Sequence, residues 1–454
     1  MVHTLRLQRT GPRHAARRGA ASLVVVMILF FVITLVAAYT SRNLLFEQRT
    51  SANQYRATLA FETADAGIEW AIARLNEGRM NDDCTELTPG TAVASPPQPS
   101  FRERYLSINT TTGVITAPDK LAGCVFNGTN WVCHCPDSGN PAPTVVTTGN
   151  GPFPAFWVKF RSNLVGGRPG VVRIQVNACT RNDAACLNFA REAQSGDGLA
   201  SVWTMVALRS ALPSAPAAAL TVRGTFARDT DSDPTVTNED PASGGITIHG
   251  GGGVDVSGFA SRLTSIPGTP ALRSVIENDP ALQLPNLTIG YTTPANDGRE
   301  RMFNSVFGTW TTTYFAQPGV AVLDCAGGCD AGDVNAVVER HPGHAIRVGG
   351  GGTLAIDANI GTATAPVLLI VDGNVQFTGT PTLYGVVYSR SANWDLRGDG
   401  TIRGAAIAER NFEFADDDPT IIYDRDVILR LQHLNGSFVR VAGSWRDFQP
   451  GINP

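Results

Sequence analysis

From Ala20 to Thr40 the chain reads AASLVVVMILFFVITLVAAYT, without a single charged residue. A helix of that length is roughly 30 Å long, the hydrocarbon thickness of a bilayer. Any fold must leave this run in lipid or enclose it among other apolar helices. Arg17 and Arg18 close it on one side and Arg42 on the other. Residues 1–19 hold five arginines (Arg6, Arg9, Arg13, Arg17, Arg18) and no acid, and the first acid of the chain is Glu47. This bias predicts an N-terminus in the cytoplasm and a remainder outside it. The rival reading is a cleaved secretory signal, whose apolar region runs to about 7–15 residues. Here the run is longer, and Ala37-Ala38 is only a weak cleavage candidate, so a helix retained in the membrane is preferred.

The helical signal continues past Thr40. No Pro or Gly lies between Ala20 and Ala66. Leu45, Tyr55, Leu59, Phe61, Ala64, Ile68, Ala71, Ile72 and Leu75 recur at helical spacing, with Glu47, Arg49, Arg56, Glu62, Asp65, Glu69 and Arg74 between them. That is an amphipathic stripe, ended by Gly78 and a polar stretch. The spacing predicts one rod over about 20–77, hydrophobic all round in its first half and one-sided in its second, where it packs on a globular head.

Three stretches carry a family resemblance: the leader QRTGPRHAARRG, the run AASLVVVMILFFVITL, and EQRTSANQYRATLAFETADAGIEWAIARL. Together they resemble the start of PilX-type minor pilins of bacterial type IV pili, and the closing Gly443–Phe448, GSWRDF, resembles the ends of that group. The resemblance implies a subunit made in the inner membrane and cut by prepilin peptidase after a leader glycine, here Gly19, leaving Ala20 as the methylated N-terminus. It implies assembly with other minor and major pilins near the tip, with a tip adhesin as a further partner and the head periplasmic, then extracellular. Most pilins carry Glu at mature position five, where it neutralises a neighbour's N-terminal amine in an apolar bundle. Val24 stands there in this chain. The same absence is a feature of tip-type pseudopilins of type II secretion. It implies a tip-side subunit, or else casts doubt on processing.

Beyond the rod the composition turns to β-structure. The chain holds 47 Gly among 454 residues, above the roughly 7% of globular chains, and such an excess favours short strands and many turns. Removing residues 1–19 leaves 31 Lys and Arg against 40 Asp and Glu, a net charge of −9. This argues against nucleic acid as a partner. Eight cysteines (Cys84, Cys124, Cys133, Cys135, Cys179, Cys186, Cys325, Cys329) suit disulfides outside the cytoplasm. The close pairs Cys179/Cys186 and Cys325/Cys329 suit local bridges, while the remaining connectivity stays open. The alternative for Cys133-His134-Cys135 is a metal site, but its spacing is wrong for a zinc knuckle. Residues 153–162, 170–179 and 199–210 are strand-like and suggest an antiparallel sheet. Residues 211–220 read as a linker or extended crossing, and 88–99 and 136–154 as surface loops.

The C-terminal region repeats. Segments 368–385, 386–404 and 405–424 each give an apolar strand, an asparagine (Asn374, Asn393, Asn411), a short strand, a Gly/Asp turn and another strand. A period of about 19 residues suggests stacked β coils, with an antiparallel sandwich as the alternative. Residues 344–361 suit one more coil, and 246–258 an earlier one set apart by an insertion. The predicted class is therefore α+β. Its parts are a basic leader (1–19), a transmembrane and amphipathic helix (20–78), a disulfide-containing antiparallel head (79–210), an irregular β-rich region with acidic loops (211–340) and a repetitive β region (341–454).

No catalytic motif survives inspection. His249–Gly253, HGGGG, is like an oxyanion loop, but no G-x-S-x-G accompanies it, and a Gly-rich turn is preferred. There is no H-E-x-x-H, Walker loop or Rossmann glycine set, and the chain is read as no enzyme. His341 and His344 read as a surface turn. Asp229, Asp231, Asp233 and Asp240 take positions 1, 3, 5 and 12 of an EF-hand-like loop, a candidate calcium site although Pro234 stands where Gly belongs. Asp324, Asp330 and Asp333 form a second acidic group and Asp416–Asp418 a third; solvated acidic loops are the simpler reading of all three. The functional readings are a minor pilin, a type II secretion pseudopilin, and a membrane-tethered β-coil adhesin or carbohydrate-binding protein.

Overall fold

The computed structural model describes residues 19–87, 97–137, 152–162, 168–181, 186, 187, 189, 198–283 and 299–447. A single helix, the stem, runs over Gly19–Leu75, 57 residues and about 85 Å. Its side chains are exposed from Ala21 to Thr58; Ala60, Ala64, Ile68, Ala71 and Leu75 are then fully buried. Those five lie three or four residues apart, so they share one face.

That face rests on a six-stranded antiparallel sheet. Its strand order is Gly436–Arg440, Leu199–Ser210, Val171–Cys179, Ala155–Ser162, Leu121–Phe126, Trp131–His134. Phe156, Val158 and Phe160 turn towards the stem, while Ala155 and Trp157 turn to the opposite side, the period of two that a sheet covered on both faces requires. Small residues let helix and sheet approach closely. A Cβ on Gly67 would come within 2.7 Å of Val176 Cγ1 and 2.9 Å of Phe156 Cδ2. The eight cysteines pair as Cys84–Cys135, Cys124–Cys133, Cys179–Cys186 and Cys325–Cys329. Cys133 and Cys135 thus go to different partners, which disposes of the shared metal site.

The rest of the chain forms a large parallel sheet with two three-stranded parallel sheets beside it. Across the large sheet run Val320–Asp324, Ala345–Gly349, Val367–Val371, Thr382–Ser389 and Thr401–Ala408. The next layer has two pieces: Thr420–Tyr423 pairs with the first half of Thr401–Ala408, and Ala218–Val222 with the second half. Thr235–Thr237 and Ile246–Gly250 follow, then Leu263–Thr264 and Val275–Ile276. The flanking sheets join Cys329–Asp330 to Leu354–Ile356 and Val375–Phe377, and Asn393–Leu396 to Asn411–Phe414 and Phe226–Arg228. The registers Val367 with Gly385, Thr382 with Thr401 and Thr401 with Thr420 put the three sequence repeats side by side. Asn411 donates to Asn393 across 3.0 Å, and its own Oδ1 accepts from the Thr225 N–H at 3.1 Å.

One expectation needs correction. Residues 218–220 of the expected linker, 211–220, belong to a fully buried strand, Ala218–Val222, because Ala218, Ala219, Leu220 and Val222 supply apolar surface inside the sheet. Residues 246–250, earlier in the chain, are a parallel strand of the same sheet; they lie beyond the last repeat in space, where Ala218–Val222 bridges them to Thr401–Ala408. Residues 88–96 and 138–151 of the expected loops lie outside the described residues.

Candidate functional site

The chemistry-bearing feature of the stem is its bare surface. Leu23 through Val36 expose their large apolar side chains by half or more, and no residue of the window long enough to cross a membrane is buried. Val24 is 53% exposed and places a branched aliphatic group, without charge, on this bare stretch. Gly19 opens the helix and Ala20 follows it.

At its other end the stem meets both β regions in one buried polar joint. Ser100 and Glu103 form a capping box that starts the short helix Phe101–Tyr105. This helix delivers Arg102 to the stem's last carbonyls. Arg102 donates to Leu75 O at 3.0 Å, Gly343 O at 3.1 Å and Gly436 O at 3.2 Å, three acceptors from three parts of the chain. A cation suits the negative end of a helix dipole. Burial lowers the Arg102 pKa to about 10, still far above neutrality. Asn76 pairs with the backbone of Phe438 through both amide atoms, at 2.9 and 2.7 Å. His344 Nε2 donates to Asn76 O at 3.0 Å, and Asn435 donates to His344 O at 3.0 Å.

His344 was expected on a surface turn with His341; it is 4% exposed, because the turn Pro342–Gly343 is pressed between the stem end and the strand Gly436–Arg440. Burial and the neighbouring Arg102 lower its pKa to about 3. His341 remains half-buried, 3.7 Å from Glu86.

The closing segment clamps the point where the stem leaves the head. Ser444 Oγ donates to Val441 O, lies 2.8 Å from Thr204 Oγ1 and accepts from the Met205 N–H at 3.0 Å. Trp445 meets Phe61 of the stem edge-on, with ring centroids 5.7 Å apart, and Arg446 stacks on Trp203. Phe448 lies outside the described residues. Arg440 pairs with Asp65 and Glu69 of the stem.

A second built feature is a charge ladder at one corner of the large sheet. Asp372 accepts from Arg347 at 2.8 Å and from Arg390 at 3.0 Å, and Arg390 reaches the fully buried Glu409 at 3.2 Å. Arg223, distant in sequence, donates to Glu409 O at 2.8 Å. Alternating signs on successive strands hold the stack in register, since a slip would set like charges together.

The sequence-derived acidic groups are taken up mostly by backbone N–H groups, arginines and a threonine hydroxyl. Asp240 caps the turn at Ala242 and Ser243, Asp233 pairs with Arg262 at 3.1 Å, and Asp229 accepts from Thr230; Asp231 is exposed. Asp330 and Asp333 form a capping box, and Asp324 accepts from the Ala326 N–H. Asp416 pairs with Arg397, while Asp417 and Asp418 accept from the Gly398 and Asp233 N–H groups. Among the described residues no group of three or more His, Cys, Asp or Glu converges to hold a metal. His249 bonds Asp279 at 2.7 Å, and the glycines after it stack on the turn at Arg223–Gly224. Sequence reading missed Arg102, Asn76 and the ladder. The S-x-x-E signature at Ser100–Glu103 could have flagged the short helix that places Arg102.

The stem is the part with a relative. Residues 18–69 match the PilX N-terminal family. The match covers the apolar half of the stem and most of the half that packs on the head. No curated protein matches the sequence. Among solved structures the competence-associated pilin ComZ from Thermus thermophilus is similar at 10% identity, over 86% of this chain and 97% of that one, with a TM-score of 0.19, too low to mark a shared fold.

Proposed function

We propose that this chain is a minor pilin that takes part in type IV pilus assembly as a structural, non-enzymatic subunit at or near the tip. The observation that carries the reading is the stem: an exposed apolar half in a segment matching the PilX N-terminal family, continuous with a half packed on a disulfide-containing sheet. The apolar half holds the precursor in the inner membrane. Cleavage by prepilin peptidase after Gly19 frees Ala20, and the stem then exchanges lipid for the helices of other minor and major pilins. Val24 supports a tip-side place, since a subunit without a carboxylate there has no neighbour's amine to neutralise. The parallel strands with their repeated register support a head crowned by stacked β coils, held outside the cytoplasm, where disulfides persist. That crown is the surface offered to a tip adhesin or an external ligand.

The test is the mature N-terminus. With a prepilin peptidase co-expressed, mass spectrometry is expected to find a chain beginning at Ala20, and without it the uncut leader. Cleavage near Ala38 overturns the reading in favour of an ordinary exported protein. A type II secretion pseudopilin shares the stem and Val24. It is separated by deletion, which then abolishes secretion and leaves pili intact.

A further inference from the structure

Three arginines stand on the bare stem beyond the apolar run: Arg42, Arg49 and Arg56, all exposed. A spacing of seven residues drifts only about 20° per step on a straight helix, so the three form one line with steps of about 10 Å. Among the described residues no carboxylate pairs with any of them; Arg42 lies over the Phe46 ring. Further up the helix the same line reaches Thr63, which is buried, and Trp70, which packs on Phe101 and Phe156, both within the face covered by the head. The arginines therefore look out from the head-facing side of the stem, below the head. Leu44, Leu45, Phe46 and Tyr55 are exposed at the same level, past the end of a bilayer-length span, so this stretch has apolar surface for a protein to cover.

The stem's carboxylates are on the other side. Glu47, Glu62, Asp65 and Glu69 fall about 140–200° from the arginine line at 100° per residue. Glu62 and Glu69 are exposed and Asp65 is half-exposed, with Arg440 reaching Asp65 and Glu69 from the sheet edge. The centre of the upper three, Glu62, Asp65 and Glu69, is some 16 residues beyond that of the arginines, about 24 Å along the axis.

Resting on the reading of the chain as a pilin-type subunit, we infer that Arg42, Arg49 and Arg56 form a docking line for the stem of an adjoining subunit that carries carboxylates on the side turned away from its head. In any bundle of such stems the bulky heads lie outside. The head-facing side of one stem then looks outward, and the far side of its neighbour looks inward. A stem set about 24 Å further from the membrane brings its arginine line level with carboxylates placed as Glu62, Asp65 and Glu69 are here. Anionic lipid is the competing source of negative charge. Arg42 is two residues beyond Thr40 and reaches headgroups, but Arg49 and Arg56 lie about 10 and 20 Å further out, beyond a screening length of roughly 8 Å.

The experiment uses the full chain in cells that assemble the fibre, with a photo-cross-linking residue at Asn53, on the arginine line, or at Ser51, on the opposite side. Products are mapped by mass spectrometry. The probe at Asn53 is expected to join a carboxylate-bearing stem segment of another pilin-type subunit. R42E/R49E/R56E is expected to lower that yield about tenfold, the combined effect of three exposed ion pairs. Reversing the mapped carboxylates to lysine restores it. An unchanged melting temperature of the head shows that the triple variant folds. Stem products from Ser51 alone, an Asn53 yield indifferent to charge reversal, or lipid as the only Asn53 product overturns the inference and leaves the pilin reading standing. If neither position reaches any stem, the pilin reading fails with it.

Discussion

At the scale of single residues the joint is held by groups whose ionisation matters. His344 is neutral in the folded chain, its ring N–H bound to Asn76 O and its surroundings closed by Arg102. With a folded pKa near 3 against 6.5 unfolded, the unfolded chain binds a proton that the folded chain refuses between those values. Stability from this group is therefore complete above pH 6.5 and is lost as pH falls, by roughly 2 kcal/mol at pH 5. His344→Gln keeps a side-chain donor and removes the titration. Urea midpoints measured from pH 7 to 5 are expected to fall more steeply for the natural chain than for this variant. Parallel curves would show that His344 is not the group responsible.

At the scale of elements, the repeats depend on two stacked glycines. Gly385 and Gly404 face each other in register with φ of 152° and 139°, a region essentially closed to other residues. A Cβ on Gly404 would lie 1.9 Å from Gly385 O. Gly404→Ala is expected to cost more than about 3 kcal/mol, while Gly253→Ala, with nothing within 4 Å of the new carbon, stays within about 0.5 kcal/mol. Thermal unfolding of the two variants measures the contrast. The repeat itself was legible because its asparagines, glycines and apolar strands recur on one period. The stem was legible for the same reason, since period and charge are local signals. What local signals did not show is that Ala218–Val222 belongs inside the sheet: a run of alanine and leucine after two prolines, Pro213 and Pro216, looks like a linker until Thr401–Ala408 supplies its neighbour. Arg102 was hidden likewise, since its three acceptors lie 27, 241 and 334 residues away in sequence.

At the scale of the molecule the chain is woven so that no region is complete alone. It enters the large sheet in mid-stack at Ala218, builds outward to Val275–Ile276, and resumes at the opposite edge with Val320–Asp324. It works back to Tyr423 and ends by returning a strand to the head. Gly436–Arg440 pairs with Leu199–Ser210, Phe438 is buried in the head core, and Asn76 is satisfied by the backbone of Phe438. A chain stopped at Ala211 lacks that strand and leaves the Asn76 amide and the edge of Leu199–Ser210 unpaired, which costs about 1–3 kcal/mol for each buried group before the lost apolar contacts are added. It is expected to be protease-sensitive even with its disulfides formed. The repair follows from the register. Ser210 faces Gly436 across an antiparallel pair, so a two-residue Asn-Gly turn can join them directly. A chain ending Ser210–Asn–Gly–Gly436 and continuing to Asp447 is expected to regain protease resistance and a cooperative melt, with the whole β crown removed. If the shorter chain is already resistant, the returning strand is an ornament and the head folds without it. If the joined chain also fails, the head depends on the crown through Arg102 and His344 as much as through its own sheet.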